Sequence, residues 1–246
     1  MEQEHKVSED RTVYERIKEL LVGYAFLPGD RLHVPELADL LKVSATPVRE
    51  ALNRFCAEDL LTTVPHRGFF VRRLEQSEIA DLLEMKYMML SYAARRGVGD
   101  LELDEAELHV LSSLAELGAK NRKTEERLRV YRRCSVSMNA IVMSLARNLS
   151  MLKCLENVMD RLHFVSETEA TMEGQVESIL QESATIALGL ISRDERTVVQ
   201  ALERRHQREQ SLLPEVMKEC VNRLYLRCRP VPQTRARTLR LEALPA

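Results

Sequence analysis

Apolar residues in the first sixty positions recur at intervals of three or four, which is the spacing of one face of an α-helix. This pattern predicts a first helix over Thr12–Val22, a second that starts at Pro35, and a third that starts between Ser44 and Pro47. Pro35 suits a first helical turn, where its missing N–H costs nothing, and either Ser44 or Thr46 would cap the third helix. The positions predicted to face inward are Leu37, Leu40 and Leu41 in the second helix and Val48, Leu52 and Phe55 in the third.

The residues that follow carry two short apolar runs separated by turn chemistry. Leu60–Val64 predicts a strand, Pro65–Gly68 a turn, and Phe69–Arg72 the returning strand of a hairpin. A helix, a tight turn, a second helix and a hairpin in this order are typical of a winged helix-turn-helix, which places one helix in the DNA major groove. The pattern therefore predicts that the chain reads DNA.

Beyond Ser77 the apolar spacing stays helical, and no strand is predicted as far as Tyr225. The expected fold class is mainly α: an N-terminal winged helix-turn-helix with a small β-hairpin wing, then an all-α bundle of six to seven helices. The expected domains are 1–75 for the winged helix, 76–226 for the bundle and 227–246 for a flexible basic tail. The helices predicted in the bundle are Glu78–Arg96, Asp104–Ala119, Thr124–Ala146, Met151–Phe164, Glu173–Ile191, Glu195–Leu212 and Pro214–Tyr225.

Composition narrows the class of protein further. The 246 residues include only 8 Gly and 8 Pro, as a mostly helical chain should, and the formal net charge of −2 argues against a general nucleic-acid coat. Five cysteines without a CxxC pair indicate reduced thiols. No signal peptide and no apolar run of about 20 residues is present, so we expect a cytoplasmic protein with no membrane partner.

Positive charge is concentrated in the predicted DNA-reading segment. Between residues 42 and 73 there are six basic and three acidic side chains, a local net charge of 6 − 3 = +3. Arg49 could reach a guanine edge, Ser44 and Thr46 could bind phosphates, and Arg67 with Gly68 could probe the minor groove. Each residue also has a plainer explanation as a cap, a turn glycine or a solvated arginine, and some winged helices bind proteins instead.

These segments resemble the N-terminal domain of GntR-family transcription regulators, and the helical remainder resembles their FadR-like branch with its FCD-type domain. The similar stretches are LADLLKVSATPVREAL, residues 37–52, and PHRGFFV, residues 65–71. The resemblance implies a homodimer that binds a palindromic operator in double-stranded DNA, usually as a repressor, and an effector in the bundle. It puts the DNA contacts on Ser44, Thr46, Arg49, Arg67 and Gly68. Ala45 and Pro35 depart from the family pattern, which implies weaker or differently distributed backbone contacts.

The resemblance also implies where this branch holds a divalent metal, and here those positions lack suitable ligands. An Asp and a His four residues later fall on Ser135 and Asn139, and two later histidines fall on Ser183 and Arg205. We therefore expect no metal or other cofactor. His206 lies one residue from an expected ligand, but a solvated helix face is the favoured interpretation.

An effector would instead meet polar side chains within an apolar bundle. The candidates are Lys86, Ser135, Asn139, Ser183 and Arg205, and Lys86 would suit a carboxylate-bearing molecule unless it is an ordinary surface lysine. Methionines at helical spacing predict adaptable core or a pocket lining; they are Met85, Met88, Met89, Met138 and Met143.

Two alternatives stay open. The bundle could serve dimerisation alone, which would make DNA binding constitutive. An enzyme or metal-binding module would use the winged helix for assembly, but the chain lacks GxSxG, HExxH, P-loop and GxGxxG motifs, so we expect no enzyme.

Overall fold

A computed structural model describes residues 13–22, 25–118 and 123–227. Within these ranges the chain forms nine α-helices and one three-stranded antiparallel sheet, and the predicted fold class is confirmed. None of the helices in the described ranges combines the length and apolarity that a membrane crossing requires.

The first three helices form the helix-turn-helix. Residues 13–22 are helical (α1), followed by α2 over Val34–Leu41 and α3 over Ala45–Ala57. Lys42 ends α2 in the left-handed conformation (φ 57°), and the N–H of Val43 bonds back to the carbonyl of Ala38 at 3.0 Å. Closing a helix in this way redirects the chain within three residues, so α3 starts immediately after the turn.

The wing is a hairpin with a third strand that the sequence analysis missed. The sheet has the order β1-β3-β2, with β1 at Arg31–Leu32, β2 at Leu61–Val64 and β3 at Gly68–Val71. A strand of two residues is too short to show an alternating pattern, so only the predicted hairpin strands were found, within one residue at each end. Leu32 pairs with Phe69, and both are buried.

One apolar core supports these elements. Phe55 of α3 stacks on Tyr14 of α1, with ring centroids 4.6 Å apart. The buried members of this core are Val13, Ile17, Leu21, Leu32, Leu37, Ala38, Leu41, Val48, Ala51, Leu52, Phe55, Leu61 and Phe69.

Six long helices follow, and they form the bundle. They are α4 over Gln76–Gly97, α5 over Glu105–Ala115, α6 over Thr124–Ser144, α7 over Leu149–Glu169, α8 over Val176–Ile191 and α9 over Glu195–Arg227. A capping box of Asp104 and Glu107 starts α5, and the Asn148 side chain accepts hydrogen bonds from two backbone N–H groups at the start of α7. Such caps satisfy donors that have no partner within the helix.

Helix α9 corrects one prediction. The apolar spacing predicted one helix that ends at Leu212 and another that begins at Pro214, but α9 is continuous and Pro214 lies inside it. An internal proline costs about 3 kcal/mol. Four buried side chains at helical spacing around the proline favour the helix and offset this cost: Leu213, Val216, Met217 and Cys220.

The described residues divide into two compact units. One holds the residues up to Glu75 together with α9 from Cys220 onward, and the other holds Gln76–Glu219. The end of α9 thus groups differently from the predicted 76–226 domain. The predicted tail, 227–246, lies outside the described residues except for Arg227, the last residue of α9.

Arg127 of α6 fixes three parts of the bundle at one point. Its guanidinium is buried, and it donates two hydrogen bonds to the carbonyl of Leu117 at 3.0 and 2.6 Å. The same group donates to both carboxylate oxygens of Glu177 in α8, at 2.7 and 3.2 Å. The Leu117 carbonyl, which lies in a 3₁₀ turn over Glu116–Gly118, thereby gains the hydrogen-bond partner that burial would otherwise deny it.

We expect Arg127→Leu to lower the free energy of unfolding by about 1–3 kcal/mol, because it leaves the Leu117 carbonyl unsatisfied. Arg132→Leu is the matched control, since Arg132 pairs with Glu167 at 2.9 Å on a solvated face and such pairs contribute about 1 kcal/mol or less. Urea unfolding at neutral pH measures both. Equal losses of unfolding free energy in the two variants would contradict the structural role given to Arg127.

Candidate functional site

The start of α3 carries polar groups that the fold does not use. Ser44 occupies the N-cap position with extended backbone angles (φ −72°, ψ 164°), yet its side chain makes no capping hydrogen bond. A cap hydroxyl usually accepts from the second or third helical N–H, and the third helical position here is Pro47, which has none. Ser44 and Thr46 are both exposed. The predicted capping bond is therefore absent at Ser44, and both hydroxyls are available to an anion.

Arg49 faces away from the core that holds α3. Val48 and Leu52 on the other side of the helix have no exposed surface, while Arg49 is exposed and forms no ion pair with any other described residue. Arg54, further along α3, is different: its guanidinium lies 2.9 Å from Glu58 and 3.8 Å from the centre of the Tyr14 ring. Arg49 is thus the α3 arginine that internal contacts leave available.

The tip of the wing presents two of the predicted residues. The N–H of Arg67 bonds to the carbonyl of Val64 at 3.0 Å, and His66 has φ 60° after Pro65, the combination typical of a type II turn. The exposed Arg67 guanidinium lies 5.8 Å from the centre of the Phe70 ring. Gly68 has φ 91°, where any other residue would be strained.

Arg31 is a wing residue that sequence reasoning missed. It lies on β1, pairs with Phe70 of β3, and brings its guanidinium beside the tip: a Cβ on Gly68 would lie 3.8 Å from Arg31 Nε. Only the pairing of β1 with β3 creates this proximity, since 37 residues separate Arg31 from Gly68. A positively charged residue thus adjoins the glycine expected to approach DNA.

Three of the five predicted effector residues meet in a buried polar cluster of the bundle. Lys86 of α4 is 4% exposed and donates to Glu209 Oε1 of α9 at 2.8 Å, so the surface-lysine alternative is wrong. Arg205 Nε lies 3.9 Å from the same oxygen, and Arg205 Nη2 donates to Asn139 Oδ1 at 3.4 Å.

A second set of charges completes this cluster. Arg208 of α9 donates to both carboxylate oxygens of Glu182, at 2.8 and 3.0 Å, and also pairs with Glu169 of α7. The positive charges of three basic side chains then balance the negative charges of three acidic side chains. We use the name buried polar cluster for Lys86, Asn139, Glu169, Glu182, Arg205, Arg208 and Glu209.

Burial and neighbouring charges act in opposite directions on these groups. Burial lowers the pKa of Lys86 despite the adjacent Glu209. Burial alone would raise the pKa of Glu209, but the charges of Lys86 and Arg205 outweigh it and hold that pKa below its usual value. For Glu169, burial prevails over Arg208 and the pKa is raised, and burial raises the pKa of Tyr131 to about 12.

The other two predicted effector residues do not join the cluster. Ser183 is buried, but its hydroxyl donates to the carbonyl of Ile179 at 2.9 Å within its own helix. Ser135 is half-buried. A groove of about 410 Å³ contains none of the five; it is lined by Glu177, Ser178, Gln181, Glu182, Thr185, Ala201 and Arg204.

His206 differs from its predicted environment. It is half-buried, its ring stacks on Tyr87 with centroids 4.5 Å apart and planes 6° from parallel, and its buried Nδ1 has no hydrogen-bond partner. The solvated-face interpretation is therefore wrong, because the aromatic contact draws the ring inward. Among the described residues, no three His, Cys, Asp or Glu side chains come together as metal ligands would.

The methionines also separate into two environments. Met138 and Met143 have no exposed surface and belong to the bundle core. Met85 and Met88 are 37% and 53% exposed, so the prediction of one adaptable core cluster is wrong for them. They lie on the outer face of α4, opposite the buried face that contains Leu82, Lys86 and Leu90.

Breaking the Lys86–Glu209 pair from one side should destabilise the bundle. We expect Lys86→Met to lower the free energy of unfolding by about 3–5 kcal/mol, because a buried carboxylate loses its main partner. Adding Glu209→Leu should recover most of this loss. Urea unfolding of the two single variants and the double variant gives the coupling, and additive losses would show that the pair is not coupled.

The chain is similar to known regulatory proteins. Residues 10–71 match the family described as bacterial regulatory proteins, gntR family. The Nta operon transcriptional regulator of Aminobacter aminovorans is 32% identical over 145 residues, which cover 59% of this chain and 67% of that protein. The HTH-type transcriptional repressor GlaR of Escherichia coli is 30% identical over 118 residues, covering 46% and 54%.

Two solved structures share the fold. A putative transcriptional regulator GntR from Rhodococcus sp. RHA1 has a TM-score of 0.67 at 18% identity, covering 85% of this chain and 98% of that chain. McbR/YncC of E. coli has a TM-score of 0.63 at 20% identity, covering 84% and 97%. The resemblance that the sequence motifs indicated is confirmed: the chain belongs to the gntR family of bacterial regulatory proteins and is a transcriptional regulator with a DNA-binding helix-turn-helix, not an enzyme.

Proposed function

We propose that this regulator is a cytoplasmic repressor that binds a palindromic operator as a homodimer, and that a small molecule in the bundle changes its operator affinity. The observation that carries the DNA-reading part is the outer face of α3, where Ser44 lacks a capping bond and Arg49 lacks an ion pair among the described residues. The similarity to a protein named as a repressor supports repression over activation.

Helix α3 enters the major groove with its N-terminal turn first. Arg49 donates two hydrogen bonds to a guanine edge, a contact that contributes about 1–3 kcal/mol of discrimination. Ser44 and Thr46 bind a phosphate through hydroxyl groups at the positive end of the helix. Pro47 assists indirectly, since it offers no N–H that would occupy the Ser44 hydroxyl.

The wing tip supplies contacts beside the major-groove site. Arg67 enters the minor groove, whose negative potential attracts arginine, and Gly68 lets the backbone approach closely. Arg31 adds a second guanidinium beside Gly68. This cation supplies a positive charge in place of the one that the family pattern would put at position 45 or 35, where this chain has Ala45 and Pro35.

Regulation follows from the distance between the recognition helices of the two copies in the dimer. Two recognition helices engage a palindrome when they lie about 34–36 Å apart. A ligand that prefers one arrangement of the bundles shifts that spacing, and couplings of this kind are typically about 1–3 kcal/mol.

The buried polar cluster supports an effector with a carboxylate group. One oxygen of Glu209 is buried without a hydrogen-bond partner, while the other binds Lys86. An unsatisfied buried acceptor is costly, so a ligand group that donates a hydrogen bond to this oxygen would be favourable there. A ligand carboxylate would then share Lys86 and Arg205 with Glu209 instead of displacing it. No metal cofactor is expected, because the positions where the resemblance puts the family's ligands hold Ser135, Asn139, Ser183 and Arg205.

Two arginine variants separate base reading from phosphate binding. Arg49→Ala should weaken binding to the DNA upstream of the gene that encodes this protein by about 1–3 kcal/mol. Binding to random DNA should stay unchanged. Arg31→Ala should weaken binding to both and reduce the slope of log K against log salt by about 1. Fluorescence anisotropy across a salt series measures both effects.

Arg133→Ala is the control for this experiment, because Arg133 is exposed on α6 of the bundle and should leave both affinities unchanged. If the unaltered protein bound its upstream DNA no better than random DNA at every salt concentration, the proposal would fail.

Native mass spectrometry of protein purified gently, without chelator, tests the effector. We expect a dimer whose mass exceeds that of two chains by an organic molecule, and operator affinity that changes when this molecule is removed by dialysis. Lys86→Met should lose the added mass. An excess of one metal ion per chain would contradict the metal-free site, and equal operator affinities before and after dialysis would favour a constitutive dimer.

A further inference from the structure

Helix α4 exposes more large apolar surface than the other bundle helices do within the described residues. Met85, Met88 and Tyr92 are 37%, 53% and 50% exposed, whereas α5 to α8 each expose one large apolar side chain. Contiguous apolar surface rimmed by charge marks an interaction site more often than scattered single residues do. The outer face of α4 is therefore a candidate surface for binding another protein chain.

The spacing along this face suits another helix. Asp81, Met85, Met88, Tyr92 and Arg95 are separated by four, three, four and three residues, which is the heptad interval of a helix-packing seam. All five are exposed, and the opposite face of α4 is buried. We use the name α4 seam for these five residues.

Charge along the α4 seam identifies the partner as a second copy of the chain. The N-terminal end of the seam is acidic at Asp81, flanked by Glu84, and the C-terminal end is basic at Arg95, flanked by Arg96. An antiparallel copy related by a two-fold axis at Met88 puts Asp81 of each copy opposite Arg95 of the other. A parallel copy would instead place like charges opposite each other, so the distribution selects the antiparallel, two-fold arrangement.

We propose that the α4 seam is the homodimer interface, with Met88 on the two-fold axis and Met85 packed near Tyr92 of the second copy. Such a contact is isologous: each pair occurs twice and the assembly closes at two chains. The inference rests on the proposed function, which requires two copies on a palindrome, and it specifies which surface joins them.

Charge reversal tests the seam in the full chain. Asp81→Arg and Arg95→Asp each put like charges together at two places, and each should raise the dimer dissociation constant by about tenfold or more. The double variant restores opposite charges and should return the constant to within about threefold of the unaltered protein. The two residues lie about 21 Å apart along one helix, so rescue requires a second molecule.

Sedimentation equilibrium measures these constants, and circular dichroism verifies that each variant is folded. Arg133→Asp, a reversal on the exposed face of α6, should leave the dimer unchanged. Met88→Glu gives a second perturbation at the centre of the seam and should also dissociate the dimer. A monomeric unaltered chain, intact dimers in the reversed variants, or a double variant without rescue would each overturn the inference.

Operator binding, measured on the same samples, separates the two proposals. If the reversals dissociate the dimer but the unaltered protein has no preference for its upstream DNA, the proposed function fails and the interface stands. If the unaltered protein prefers that DNA and the reversals leave the dimer intact, the interface is wrong and the proposed function stands.

Discussion

Burial of one face of α3 determines what the other face can offer. Val48, Leu52 and Phe55 have no exposed surface, and Phe55 stacks on Tyr14 of the first helix. Burying three such side chains contributes several kcal/mol and fixes both the tilt and the rotation of the helix. Because rotation is fixed, Arg49 faces solvent, and its availability to DNA is a consequence of packing.

The bundle faces a harder physical problem, since it buries charge as well as apolar surface. Isolated buried charges are expensive, and buried pairs are retained where the geometry is good. The buried polar cluster meets this requirement with three basic and three acidic groups on four helices. The arrangement fixes how α4, α7, α8 and α9 face one another. One oxygen of Glu209 nevertheless has no hydrogen-bond partner among the described residues.

Local patterns in the sequence predicted most local features of this structure, although Leu40, predicted to face inward, is 38% exposed. The helix-turn-helix, the hairpin and the positions of Ser44, Thr46, Arg49, Arg67 and Gly68 all follow from residues close together along the chain. Arg31 was missed because its proximity to Gly68 depends on strand pairing across 37 residues.

The bundle was less predictable for the same reason. The spacing of its apolar residues revealed the helices, whereas Glu209 and Arg208 belong to a charged run that is typical of a solvated surface. Only the packing of four helices shows that these side chains point inward. Pro214 was interpreted as a helix break because the burial that sustains α9 around it depends on tertiary structure.

Pro47 has a consequence for how such a regulator can change over evolution. A cap hydroxyl that also held its own helix would tie the identity of residue 44 to the stability of the domain. With no N–H at the third helical position, Ser44 has little part in folding. Residue 44 can then change while the fold is kept, so the polar group at the start of α3 is not tied to the stability of the domain.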